Sequence, residues 1–409
     1  MAQQTPYYLI KTEDLRYDCD LLYGALTDFW GDNFIMGYSV KTNSLPWLLT
    51  YLLEKGFYAE VVSKTEADLV KRLGFRRNHV IYNGPIKDKE VFEDILLNGG
   101  IVNMDSSYEP VWLERLAQNH PDKEFEVGIR VNCDIKSMSP EEELLEEDGG
   151  RFGYCYENGE LENVINKLDK LSNVKLTGIH LHSSTKSRSV YVFERLAAFA
   201  VKLSEEFGLK LKYVDMGGGY FGGRADMPDY RDYFEGICRE LKKGFDPDKV
   251  TLVVEPGVSL ISRAMSFVTS VLDVKRIRDN RYLVTDGSRV NLNPQVTRHS
   301  YPHHIFYMDD NTRGYMTKEE AKTQRSKASS QWVCGSTCME YDRLFEIKDD
   351  LKLKAGDKIV YDTAGGYTMC LSPLFINYFP AVFVENEDGT RMLVREAWGN
   401  DEYLQKCRY

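Results

Sequence analysis

Gly37-Tyr38-Ser39-Val40-Lys41-Thr42-Asn43-Ser44 follows the apolar run Phe34-Ile35-Met36, so Lys41 falls at or near the end of a strand. Directly after it, Pro46-Trp47-Leu48-Leu49-Thr50-Tyr51-Leu52-Leu53 repeats apolar residues at helical spacing. Asn43 or Ser44 is the expected N-cap, with Pro46 near the first turn. An ordinary lysine at a strand end is a solvated loop residue. A partly desolvated one is a Schiff-base nucleophile. What the other strands carry at their ends decides between the two.

The strand-then-helix unit recurs along the chain. Strands are expected at 34–41, 58–63, 79–84, 100–105, 125–132, 175–182, 211–217 and 251–257. Between them, Ser63-Lys64-Thr65-Glu66 reads as a capping box whose helix Gly74 closes. Residues 190–207 and 229–241 are helices on their own periodicity. Eight such units predict a parallel (β/α)8 TIM barrel with right-handed crossovers, although a doubly wound sheet explains the alternation alone equally well. Chemistry gathered at the strand C-termini selects the barrel.

One unit departs from the rhythm at 137–150, where an acidic run reads as a solvated, mobile surface insertion. The glycines of Gly149-Gly150-Arg151-Phe152-Gly153-Tyr154 then suit a tight loop near a ligand. After about residue 265, strands at 268–277, 281–286, 331–334, 358–363, 381–385 and 390–397 follow without comparable helices, which predicts an all-β domain. The 293–330 stretch is too long for a mere connection and reads as a lid or an interface segment.

The 409 residues allow one large domain and a smaller one. A formal net charge of -11 argues against a nucleic-acid or anionic-membrane partner. Residues 1–6 lack the start of a signal peptide, and no apolar run approaches the ~20 residues that cross a bilayer. The eight cysteines are scattered, and the one close pair, Cys334 and Cys338, lacks a second ligand pair for zinc. Reduced thiols, no metal and a cytoplasmic setting are expected.

Four stretches join Lys41. Gly217-Gly218-Gly219 ends the seventh strand and lets backbone N–H groups approach a phosphate. Glu255, in Val253-Val254-Glu255-Pro256-Gly257, leaves a buried strand and needs a cationic partner, which a protonated pyridine nitrogen supplies. In Gly178-Ile179-His180-Leu181-His182 one histidine is expected to face the barrel interior and the other its helices. His182, beside Ser183, Ser184 and Thr185, is the better placed to lie on a flat ring. Two β-domain loops, Cys334-Gly335-Ser336-Thr337-Cys338 and Ala364-Gly365-Gly366-Tyr367-Thr368, add a thiol and a phenol. Together these describe one ligand, pyridoxal 5′-phosphate.

With Glu60-Val61-Val62-Ser63, these motifs resemble, in order and nearly end to end, the fold type III pyridoxal-phosphate decarboxylases: the diaminopimelate, ornithine and arginine decarboxylases. The resemblance implies an α/β + β architecture, an alanine-racemase-like barrel over 28–265 and a C-terminal β-sandwich or barrel domain of 266–409 with 1–27. It implies Lys41 as the Schiff-base lysine, Glu255 as partner of the pyridine nitrogen and His182 as the stacking ring. Thr185, Gly217, Gly218, Gly219, Gly257 and Tyr367 would hold the cofactor. Cys338 would protonate the quinonoid carbanion that the external aldimine leaves on losing carbon dioxide. A head-to-tail homodimer with shared sites and an amino-acid substrate are further implications.

Two positions break the family pattern. Val258 stands where an arginine is usual, with Arg263 further on. Met339 stands where an acid recognises the substrate's distal amine, with Glu340 and Asp342 beyond it. A substrate with an amidated, acylated or anionic distal end is therefore expected. The family reads that end from the region of Arg298, His299, Tyr301, His303 and His304. An amino-acid racemase on the same fold, or a non-catalytic regulatory homologue resembling the antizyme inhibitors, are the alternatives.

Overall fold

The computed structural model describes residues 4–408 apart from 144–148, 183–185, 225, 299 and 313. Thr185, His299 and part of the acidic run thus lie outside the described residues. Two compact units are present, one of residues 18–259 and one of 1–17 with 260–409.

In the first unit eight parallel strands close on themselves: β1 (Phe34–Ser39), β2 (Tyr58–Val61), β3 (Val80–Tyr82), β4 (Ile101–Met104), β5 (Phe125–Asn132), β6 (Val174–His180), β7 (Tyr213–Asp215) and β8 (Thr251–Val254). Each pairs with its sequence neighbours, and β8 pairs with β1 to complete the ring. The sequence forces this because the strands are apolar on both faces; Val80, Ile81 and Tyr82 are all fully buried. Helices such as Pro46–Glu54, Lys64–Arg72, Val190–Glu206 and Tyr230–Leu241 cover the outside with stripes such as Val192, Leu196, Ala200 and Leu203. The barrel, not the doubly wound sheet, is the outcome.

Ser63 caps its helix by accepting from the Glu66 N–H at 3.2 Å, while the Glu66 carboxylate accepts from the Val62 N–H at 2.8 Å. The reciprocal bond therefore falls one residue earlier than a capping box places it. In the insertion, Asp134 caps the short helix Ile135–Met138, and Asn132 donates to the Gly149 and Phe152 carbonyls at 3.0 and 2.8 Å.

The second unit is a ten-stranded, mostly antiparallel sheet. Tyr7–Lys11 lies within it, antiparallel to Met265–Ile277 and parallel to Ala381–Glu385. The longest elements beyond the sequence expectation in or entering this unit are the helix Thr12–Phe29 and the strands His303–Met308 and Arg343–Leu351. Residues 293–330 are accordingly a short strand pair and the helix Lys318–Lys322 rather than one long loop.

Candidate active site

β1 ends at Ser39, and the tight turn Val40–Thr42 buries Val40 and Thr42 while leaving the Lys41 side chain 38% exposed. Leu45, and neither Asn43 nor Ser44, caps the helix; Asn43 Oδ1 instead accepts the Leu45 N–H at 3.2 Å. The turn is fastened to the end of β8, since the Ser39 N–H donates to the Pro256 carbonyl at 3.1 Å and its hydroxyl to the Glu255 carbonyl at 3.3 Å. Gly257 fits against it closely: a Cβ there would stand 2.3 Å from Thr42 Oγ1. The lysine and the acid named from sequence are thus carried by adjacent, bonded turns.

Between them runs a buried polar chain. Lys41 Nζ lies 2.5 Å from Glu60 Oε2 on β2. Asn83, just beyond β3, donates Nδ2 to Glu60 Oε1 at 3.2 Å and to Glu255 Oε1 at 2.5 Å. Asn103 on β4 donates to Asn83 Oδ1 and to Asp215 Oδ2, each at 3.0 Å, and accepts from the Tyr213 hydroxyl at 2.8 Å. Asp215 also accepts the Gly217 N–H at 2.9 Å. Six of the eight strand ends therefore join one network. Asn83, Asn103 and Asp215 were not singled out from sequence, and Glu60 only as part of a motif. The available signal was a polar residue closing each apolar run.

The charges follow from burial and neighbours. Burial pushes the Glu255 carboxyl up, but His180, Lys41 and a hydrogen bond from Asp215 outweigh it and hold Glu255 well below the usual carboxylate range. Burial, with Glu255 beside it, drives Asp215 well above that range. His180, Asp215 and Glu255 have ligand atoms within 4.8 Å of one another. Such a set could share a cation, yet N–H donors already reach both carboxylates, and two buried acids this close favour a shared proton instead.

His180 and His182 do not face opposite ways. Their rings stack with centroids 6.1 Å apart and an interplanar angle of 24°, and His180 Nε2 lies 3.5 Å from Glu255 Oε2. A period of two returns residues i and i+2 to the same side, so the opposite-face expectation is corrected. Burial, with Arg130 and His180 nearby, lowers His182 well below the usual histidine value and leaves it a neutral ring. Its Nδ1 accepts the Gly218 N–H at 3.3 Å.

The glycines of 217–219 are spatial necessities. Gly217 has φ +63°, and a Cβ on Gly218 would stand 2.0 Å from the Glu255 carbonyl oxygen. Gly218→Ala must therefore displace the Glu255 backbone; we expect cofactor affinity to fall at least about tenfold, read as the Kd for pyridoxal phosphate by fluorescence titration. Val258 opens the short helix Val258–Ile261 and brings no cation, and the Arg263 guanidinium sits 4.3 Å over the Tyr17 ring. Arg188 lies beside the glycine loop, with Nη1 3.5 Å from the Tyr220 carbonyl and the guanidinium 5.1 Å over Phe221. Sequence reading passed over it. Arg130, buried on β5, lies 3.4 Å from Asp105 Oδ2 and 4.6 Å over the Phe152 ring.

Cys338 and Tyr367 belong to the β-domain unit. Cys338 is exposed, in a cleft of about 440 Å³ lined by Lys275, Tyr282, Met339 and Arg343 among others. Tyr367 is half-buried with φ +52°. Asp342 organises the thiol loop: it accepts from the Ser288 hydroxyl at 2.9 Å, the Arg289 N–H at 2.8 Å, and the Thr337 N–H and hydroxyl at 3.1 and 2.6 Å. Asp342→Ala strands those donors in a buried place; a loss of roughly 2–4 kcal/mol is expected in urea unfolding. Glu340, with a side chain 97% exposed, turns outward to Arg343 at 3.4 Å. Arg298 donates to Thr363, His303 Nδ1 donates to the Tyr301 carbonyl, and His304 lies 3.4 Å from Asp362. The described members of that set are engaged locally.

Fold and site together are those of a barrel whose strand ends gather a lysine, a buried carboxylate and a glycine loop. The chain belongs to the pyridoxal-dependent decarboxylase family, whose pyridoxal binding domain matches residues 26–262. It is similar to a probable chloroplastic diaminopimelate decarboxylase of Oryza sativa subsp. japonica, 26% identical over 99% of this chain and 80% of that one. It is also similar to antizyme inhibitor 2 of Xenopus laevis, 25% identical over 90% of this chain and 78% of that one. A solved diaminopimelate decarboxylase from M. jannaschii in complex with L-lysine has the same fold, with a TM-score of 0.82 at 21% identity over 99% of this chain and 92% of that one. The cofactor is pyridoxal phosphate, and the chain is a pyridoxal-phosphate-dependent amino-acid decarboxylase. The residues fit that group: a lysine and a buried anion on adjacent turns, with glycines where a side chain would intrude. Among the described residues no helix is long and apolar enough to cross a membrane.

Proposed function

We propose that this chain removes the α-carboxylate of an amino acid whose distal group is amidated, acylated or anionic rather than a free ammonium. The observation that carries this is the commitment of the acids after Cys338: Asp342 is consumed bracing its own loop, and Glu340 turns out to Arg343. Met339 leaves an apolar side chain where the family reads a distal amine, and Lys275 and Arg343 line the adjoining cleft. Pyridoxal phosphate, when bound, supplies the electron sink.

The chain's own groups divide the remaining work. Lys41 would hold the cofactor covalently, with Glu60 positioned to take or return the proton at Nζ. Glu255, anionic, would pair with the ring nitrogen, and neutral His182 would stack on the ring. The 217–219 loop and the turn at Gly257 would hold the phosphate, and Thr185 and Tyr367 are the further cofactor-binding residues that the resemblance implies. Cys338 delivers a proton to Cα after carbon dioxide departs. We read the protein as a head-to-tail homodimer, consistent with the exposed Leu371, Leu374, Phe375 and Ile376 near Tyr367. Eight free thiols support a reducing, cytoplasmic setting. A racemase would release no carbon dioxide.

The test is carbon dioxide release from a panel of free and distally conjugated diamino acids and ω-carboxylated analogues. The reading requires a conjugated or anionic member to have the highest kcat/KM. Diaminopimelate or ornithine as clearly the best substrate would overturn it.

A further inference from the structure

The mechanism leaves one buried acid without a task. Asp215 is fully buried at the end of β7, with a carboxylate oxygen within 4.8 Å of one of the buried Glu255. Two ionised carboxylates this close in a buried place repel each other, so the pair favours holding one proton. Geometry identifies which. Glu255 is the one linked to a cation: Lys41 reaches it through Glu60 and Asn83. Asp215 faces neutral groups, namely the Asn103 amide, the Gly217 N–H and the Tyr213 ring system bonded to Asn103. Of the other charged groups near the pair, Glu60 acts on Asp215 and Arg130 on Glu255.

We infer that Asp215 is a positioning residue: as a carboxylic acid it donates its O–H to Glu255, fixing that side chain's orientation and keeping it an anion toward the cofactor's ring nitrogen. This rests on the reading of Glu255 as the ring-nitrogen partner. The physical logic is that of a carboxylate accepting several donors. Asn83 from β3 and Asp215 from β7 approach Glu255 from different strands, which leaves it one rotamer. Both donors also lower its affinity for a proton, so a proton shared with the ring stays on the nitrogen. Asp215 is itself held by the Gly217 N–H, which ties the setting of Glu255 to the glycine loop.

The test uses the holoprotein loaded with pyridoxal phosphate labelled with 15N in the ring, and reads the ring nitrogen's chemical shift and the cofactor Kd. Native protein should show a protonated nitrogen. Asp215→Ala should move the shift toward the unprotonated value and raise the Kd several-fold, while Asp215→Asn, which keeps an N–H donor for Glu255, stays near native. Glu255→Gln should lose the protonated signal. A native shift in Asp215→Ala alongside its loss in Glu255→Gln overturns the role of Asp215 alone. A native shift in Glu255→Gln overturns the ring-nitrogen reading, and this inference with it. Should Asp215→Ala not fold, the infrared spectrum of native protein labelled with 13C in its aspartates decides. A protonated-acid carbonyl band that vanishes in Asp215→Asn supports the assignment, and its absence from the native protein overturns it.

Discussion

Alanine at position 41 yields a colourless protein with turnover reduced by at least about a thousandfold, because both the covalent tether and a positioned proton carrier disappear. Lys41 Nζ is held 2.5 Å from the almost fully buried Glu60, on a turn whose neighbouring residues are buried, so no other amine stands ready in that place. The measurements are the visible absorbance of the purified variant and its carbon dioxide release. Removing Lys41 also leaves Glu60 as an uncompensated buried carboxylate, and lower thermal stability should accompany the loss. A non-catalytic regulatory homologue would give a different result: native protein that neither colours with pyridoxal phosphate nor releases carbon dioxide from any amino acid.

Glu255→Gln is the second large effect, with kcat expected to fall about a hundred- to a thousandfold and KM to change far less. The amide cannot balance a ring-nitrogen cation, and the loss of one preorganised charge at a reacting centre is of that order. The substitution is nearly isosteric and can still bond to Asn83, so the packing of the barrel should survive. Steady-state kinetics with far-ultraviolet circular dichroism as the folding control reads it. Equal loss in kcat and in folded fraction would assign the residue to structure alone.

The barrel was legible because its strands are buried on both faces and so read as short apolar runs; β3 (Val80–Tyr82) shows this most plainly. The helix Thr12–Phe29 was missed although Leu15, Cys19, Leu22 and Leu26 are buried at helical spacing. Its interspersed aspartates hid the stripe. Arg343–Leu351 escaped for another reason: its pairing is bulged near Cys334, and the buried Leu344, Ile347 and Leu351 break a strict alternation.

In the site, Lys41, Glu255 and the glycine run announce themselves by residue type. Asn83, Asn103 and Asp215 do not, since each is one polar residue at the end of a strand and only barrel closure brings β3, β4, β7 and β8 to a common centre. The shift of the acids after Cys338 was legible as a departure. Only the hydrogen bonds of Asp342 show that it braces the loop rather than facing a substrate.

The central claim is a covalent bond between the cofactor and the amine of Lys41, and borohydride reduction of the loaded protein followed by peptide mass mapping tests it most directly. The account predicts a single pyridoxyl-modified peptide, with the added mass on Lys41. A reduced adduct on another lysine, or tightly held cofactor with no adduct at all, would contradict it.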